Sequence, residues 1–237
     1  MGKTWLAGVC LALAGGVAAG QEAPDSVRME GGQVLVRFRT MTVLLDPSGD
    51  AASMPPVDLV LLRGCGERQR AWLARQTLDR SVVVAAGRPC AAELRGQGVR
   101  RAQVLGLWGA YALRRGAVSV RLTVMPGAGP RAAAWLGDAA PEDAAQDQSL
   151  GVMLDFSDGA HGALRLYAGG DADDVDLAAI PQRFPGADLA VVRRDGEPLL
   201  GAVETRRDGS RVMRMVALAP DAAYRIPAAR AAGAKPR

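Results

Sequence analysis

Three strand-length runs with almost no polar side chain, "VDLVLL" (57–62), "SVVVAAG" (81–87) and "AQVLGL" (102–107), limit the folds open to this chain more than any other feature. Successive side chains on a strand point to opposite faces, so a run that is apolar throughout must be covered on both. The stretches between them, "ERQRAWLARQTL" (67–78) and "CAAELRGQG" (90–98), predict a helix and a short helix. Apolar strands alternating with helices specify a parallel layer built from βαβ units.

The flanking segments have a different character. "QVLVRF" (33–38) and "MTVLLD" (41–46) predict an antiparallel hairpin that runs into a loop at Pro47 and Gly49. "AVSVRLTVM" (117–125) alternates apolar and polar residues, as a half-buried strand does. After an Ala-, Asp- and Gln-rich loop (127–148), "LGVMLDF" (150–156) and "ALRLYAG" (163–169) flank the turn-rich "SDGAHG" as a second hairpin. "DLAAIPQRF" predicts a helix, "ADLAVVRR" (187–194) a strand, "SRVMRMVAL" (210–218) a helix and "AYRIPA" a last short strand. There are no repeats and no second domain. The fold class is α/β, an αββα sandwich of two mixed β-sheets with outer helices.

Lys3, the apolar "WLAGVCLALAGGVAA" and the small-residue "VAAG" before Gln21 together describe a cleavable signal peptide over residues 1–21. The domain then occupies 22–228, with a flexible Ala/Gly/Lys/Pro/Arg tail at 229–237. No later segment is long and apolar enough to span a membrane, so the expected location is periplasmic or secreted. The net charge of +4 is spread along the chain, and aromatic residues make up only 4% of it, which argues against a nucleic-acid partner. Lysine occurs only at Lys3 and Lys235, and this preference for Arg reads as coding bias without functional weight.

The order of "EGGQVLVRFRTMTVLLDPSGD", "PVDLVLL" with its loop and helix, "VRLTVMPGAGP", "LGVMLDF", "LYAGGDADDVDLAAIPQRFPGADLAVV" and "YRIPA" resembles the metallo-β-lactamase superfamily over nearly the whole mature chain. It is most similar to the branch of ascorbate-phosphate lactonase-like and phospholipase-D-like hydrolases. The resemblance implies one or two metal ions, zinc or manganese, held by His-x-His-x-Asp-His after a strand, a further His, a bridging Asp and a last His, and activating a water for hydrolysis. The residues here depart from that pattern. "LLRGCGERQ" places Gly64 and Gly66 at the first two His, Arg68 at the Asp and Gln69 at the third His. Gly129 falls near the fourth His, Gly170 at the bridging Asp, and Ala228 or Ala229 near the last His. The chain contains one histidine, His161, in the second hairpin's turn, so a site of four or five imidazoles is impossible. No metal, no cofactor and no catalytic residue is therefore expected.

Replacement chemistries are poorly supplied. Cys65, Glu67, Gln69 and Asp171 are the residues from which a non-standard metal site would have to be drawn. "DADDVD" (171–176) lacks the Gly and distal Glu of a calcium loop and reads as an acidic helix start capped by Asp173 or Asp174. Cys65 has no neighbouring His to activate it as a nucleophile. Without the leader two cysteines are left, Cys65 and Cys90, each just after an apolar strand of the parallel layer, and a disulfide between them is expected in an oxidising compartment. Arg63, Cys65, Glu67, Arg68, Asp171 and Asp173 would line the remaining cleft, where Arg63 and Arg68 suit an anion. The expected function is a non-catalytic binding or scaffolding module whose partner is an unknown protein or a small anionic ligand. The alternative is a divergent hydrolase of the same superfamily using a non-standard metal site.

Overall fold

A computed structural model describes residues 24–30, 32–47, 56–63, 66–76, 78, 82–86, 94, 96, 99, 101–127, 150–159, 163–219 and 222–227. Its strands are β1 (Ser26–Glu30), β2 (Gln33–Phe38), β3 (Met41–Leu45), β4 (Leu59–Leu62), β5 (Val82–Ala86), β6 (Ala102–Leu105), β7 (Ala110–Arg115), β8 (Val118–Pro126), β9 (Leu150–Ser157), β10 (Ala163–Asp171), β11 (Leu189–Arg194), β12 (Glu197–Thr205), β13 (Arg211–Val216) and β14 (Ala223–Arg225). Two helices, α1 (Glu67–Ala74) and α2 (Asp174–Arg183), are described with them. The strands form two seven-stranded sheets, ordered β14-β1-β2-β3-β4-β5-β6 and β13-β12-β11-β10-β9-β8-β7. Both are mixed: β3 to β6 pair in parallel in the first, and β10 with β11 in the second.

Burial explains the apolar runs. Leu59 and Leu61 of β4 join the core between the sheets, while Val60 and Leu62 pack on the outer side against Trp72 and Leu73 of α1. All four β4 side chains are fully buried, so no position on that strand tolerates a polar residue without a partner. The second sheet repeats the arrangement: Leu166 and Val191 face the central core, and Tyr167, Ala190 and Val192 pack against Leu177, Ile180 and Phe184 around α2. Helix, sheet, sheet and helix are thus stacked as the αββα reading requires.

Three features differ from the sequence reading. Residues 210–218 are not helical; Arg211–Val216 form β13, paired antiparallel with β12. The turn before it decides this, since Gly209 adopts φ +84 and the Asp208 carboxylate accepts from the Ser210 amide at 2.9 Å, closing a hairpin that a helix would break. Strands β1, β7 and β12 were not anticipated. Helix α1 stops at Ala74 rather than at 78. Of the predicted helix at 90–98 only Leu94 and Gly96 are described, both helical, and the leader and the tail at 229–237 lie outside the described residues.

Candidate functional site

The parallel strands end together on one rim of the sandwich. Asp46 follows β3, Arg63 follows β4, a tight turn at 106–109 follows β6, and Asp171 and Arg194 close β10 and β11. The two sheets meet there, because the Arg193 Nη2 of β11 donates to the Asp46 carbonyl at 3.4 Å.

Asp46 is the centre of this rim. Its backbone is left-handed, with φ +40, a conformation Asp tolerates better than most side chains. Its N–H donates to the Leu61 carbonyl at 2.8 Å, and its carboxylate accepts from the Arg63 amide at 2.7 Å and the Arg63 Nε at 2.5 Å. Arg63 Nη2 closes on the same oxygen as the second tooth of a fork. The two side chains are 7% and 6% exposed, so the pair is held away from bulk water. Arg63 Nη1 is buried without an acceptor among the described residues. Arg63 is therefore not an open receptor for an anion, as its place in the sequence suggests, but one half of a structural ion pair. Asp46 and Arg193 were missed by the sequence reading; the signal available was the Asp-Pro at the end of "MTVLLDP".

The described start of α1 presents little that ligates. Gly66 is the helix N-cap and makes no side-chain cap bond; Glu67 and Arg68 are exposed. Gln69 folds back over the helix start, its Oε1 3.0 Å from where a Gly66 Cβ would stand. Gly170 is the next-to-last residue of β10, and exposed Asp171 pairs in register with Arg193. Asp173 is a cap rather than a cleft ligand: its Oδ1 accepts from the Asp176 amide at 2.8 Å, while Asp176 Oδ2 accepts from the Asp173 amide at 3.4 Å. Asp174 pairs with Arg194. Gly64, Cys65, Cys90, Gly129, His161, Ala228 and Ala229 lie outside the described residues. Among the described residues no three His, Cys, Asp or Glu side chains form a group able to hold a metal. The rim thus does not fit the zinc or manganese implied by the resemblance: two glycines offer no side chain, Arg68 brings positive charge, and the nearest buried carboxylate is already neutralised by Arg63.

One aromatic residue marks the same rim. Trp108, in the β6–β7 turn, is 65% exposed and sits at φ +62, costly for a bulky side chain. Its amide donates to the Val124 carbonyl at 2.8 Å, and the Gly109 amide to the Gly106 carbonyl at 2.8 Å, so the turn is pinned despite the strain. Trp108→Gly is expected to raise stability by about 1 kcal/mol, because the strain goes and little buried surface is lost. Urea denaturation of both proteins checks this, and a less stable variant would show that the indole packs on the fold.

Titration is perturbed away from the rim. The Ser210 hydroxyl and amide hold the Asp208 carboxyl below its ordinary range, and Glu204 raises the Arg214 guanidinium. Both belong to the exposed β12–β13 hairpin.

No family model and no curated protein matches the chain. Solved structures do show likeness. CmlA, a diiron β-hydroxylase from Streptomyces venezuelae, is 16% identical with a TM-score of 0.42, over 71% of this chain and 34% of that one. The chain therefore spans about a third of that protein's length. A possible metal-dependent hydrolase from Veillonella parvula is 14% identical with a TM-score of 0.41, over 68% of each chain. The metallo-β-lactamase MIM-1 from Novosphingobium pentaromativorans is 16% identical with a TM-score of 0.38, over 73% of this chain and 77% of that one. Likeness at this level carries no conclusion about chemistry.

Proposed function

We propose that this chain is a degenerate, exported relative of the metallo-β-lactamase superfamily that works as a binding or scaffolding module instead of a metal-dependent hydrolase. The observation behind this reading is the composition of the rim. Activating a water on a metal needs three good nitrogen, sulfur or oxygen donors around an open position. Here the motif positions within the described residues are Gly66, Arg68, Gln69 and Gly170, and the one buried carboxylate at the strand ends is bound by a guanidinium. Exposed Arg68 and Trp108 offer contact surface to a partner instead. Direct pairing of β4 with β5 supports a Cys65–Cys90 disulfide, since both cysteines follow these strands.

Elemental analysis of protein purified without added metal or chelator, paired with a thiol count under denaturing, non-reducing conditions, tests the reading. The expected result is zinc, manganese and iron far below stoichiometry, with no free thiol in the mature chain. Stoichiometric metal lost on replacing Asp171 or Glu67 would establish a rebuilt hydrolase centre, and two reactive thiols would remove the disulfide.

A further inference from the structure

We infer that Asp46, Arg63 and Arg193 form a clasp that joins the two sheets at the rim by charge and hydrogen bonding, in place of a metal ion. The inference rests on the reading that the rim holds no metal. Asp46 lies on the first sheet's side and Arg193 on the second, 147 residues apart in the chain, and they meet at 3.4 Å. Arg193 is half-buried; its other bond is to the Gly196 carbonyl at 2.7 Å, and among the described residues no carboxylate pairs with it. Two guanidinium groups thus converge on Asp46, Arg63 on its carboxylate and Arg193 on its carbonyl. A cation taking Asp46 through Oδ2 would have to displace Arg63, whose Nε and Nη2 both fall on that oxygen. The opposite end of the sandwich is tied by the same kind of link: Arg39 Nε reaches Asp158 at 3.2 Å, and Arg115 Nε reaches Asp58 at 3.3 Å. Guanidinium links thus join the two sheets at both ends, over the apolar core between them.

The test is thermal unfolding of wild type and Arg193→Met, each in chelator and in added zinc or manganese chloride. Wild type is expected to melt at the same temperature in all three, and Arg193→Met about 5 °C lower in all three, the size of effect a charge-assisted hydrogen bond has in a domain of this length. An unchanged melting temperature for Arg193→Met overturns the clasp, whatever metal is bound. A deficit that zinc or manganese abolishes overturns it too, since the ion would then be doing the joining. Metal retained stoichiometrically by the untreated protein sinks the proposed function separately, in an assay that does not involve Arg193. Arg193→Lys, which keeps charge but loses the fork, is expected to fall between the two and guards against a misfolded Met variant.

Discussion

Asp46→Asn is expected to destabilise the protein by about 3–5 kcal/mol, the cost of leaving one partner of a buried ion pair uncompensated. Asn keeps the left-handed backbone at φ +40 accessible, so the loss reports the carboxylate and not local strain. In the native protein the Arg63 side chain is only 7% exposed, and its charge is tolerated because Asp46 Oδ2 faces both Nε and Nη2 while Oδ1 holds the Arg63 amide. Arg63→Met leaves the reciprocal defect, a buried carboxylate whose remaining bond comes from the residue-63 amide. The double variant Asp46→Asn, Arg63→Met removes the charges together and should be far less damaging than the sum of the singles, because neither desolvated charge is left alone. Urea denaturation of the four proteins measures this. A loss under about 1 kcal/mol for Asp46→Asn, typical of an exposed pair, would show that water reaches the rim.

This pair also shows where sequence and structure part. The layered architecture was readable because burial on both faces leaves an unmistakable pattern: β4 and β5 are apolar at successive positions, and their parallel pairing follows. The three-stranded meander β11–β12–β13 was not read, although its two Asp-Gly turns stand in the sequence. Asp195 and Gly196, at φ +52 and +84, and Asp208 with Gly209 make those hairpins, and the apolar spacing of "SRVMRMVAL" outweighed the turn signal. Of the candidate site, the scarcity of imidazole was legible at once, the chain having a single histidine. The role of Arg63 was not, because it depends on a partner chosen in space: Asp46 lies seventeen residues before Arg63 and meets it only when β3 and β4 pair. The cap at Asp173 or Asp174 was legible in the acid-rich run, and the reciprocal bond with Asp176 three residues on decides for Asp173.

Gly151→Ala is expected to cost about 3 kcal/mol, the upper part of the range for overpacking, because the outer core of the second sheet has no slack at that point. The Tyr167 ring is fully buried and lies flat across two glycines, Gly151 on β9 and Gly169 on β10. A Cβ on Gly151 would stand 2.6 Å from the Tyr167 Oη and 2.7 Å from its Cε2; one on Gly169 would stand 2.7 Å from Cε1. The ring cannot withdraw, since Phe184 stacks on it with centroids 3.9 Å apart and planes 16° from parallel. Phe184 is the C-cap of α2, the helix whose first turn brings Asp173 and Asp174 to the rim, so a displaced ring would lift the helix as well as strain the sheet. The clash predicts its own remedy. In a Tyr167→Ala background, itself weakened by about 3–5 kcal/mol through loss of the ring, Gly151→Ala should cost within about 0.5 kcal/mol of nothing, because the methyl then enters vacated space. Additive losses in that double variant would mean that the glycine is needed for its backbone rather than for the ring above it. Since Gly151 has no left-handed φ, backbone need has no support in the geometry, and the glycines at 151 and 169 are explained by the aromatic side chain they accommodate.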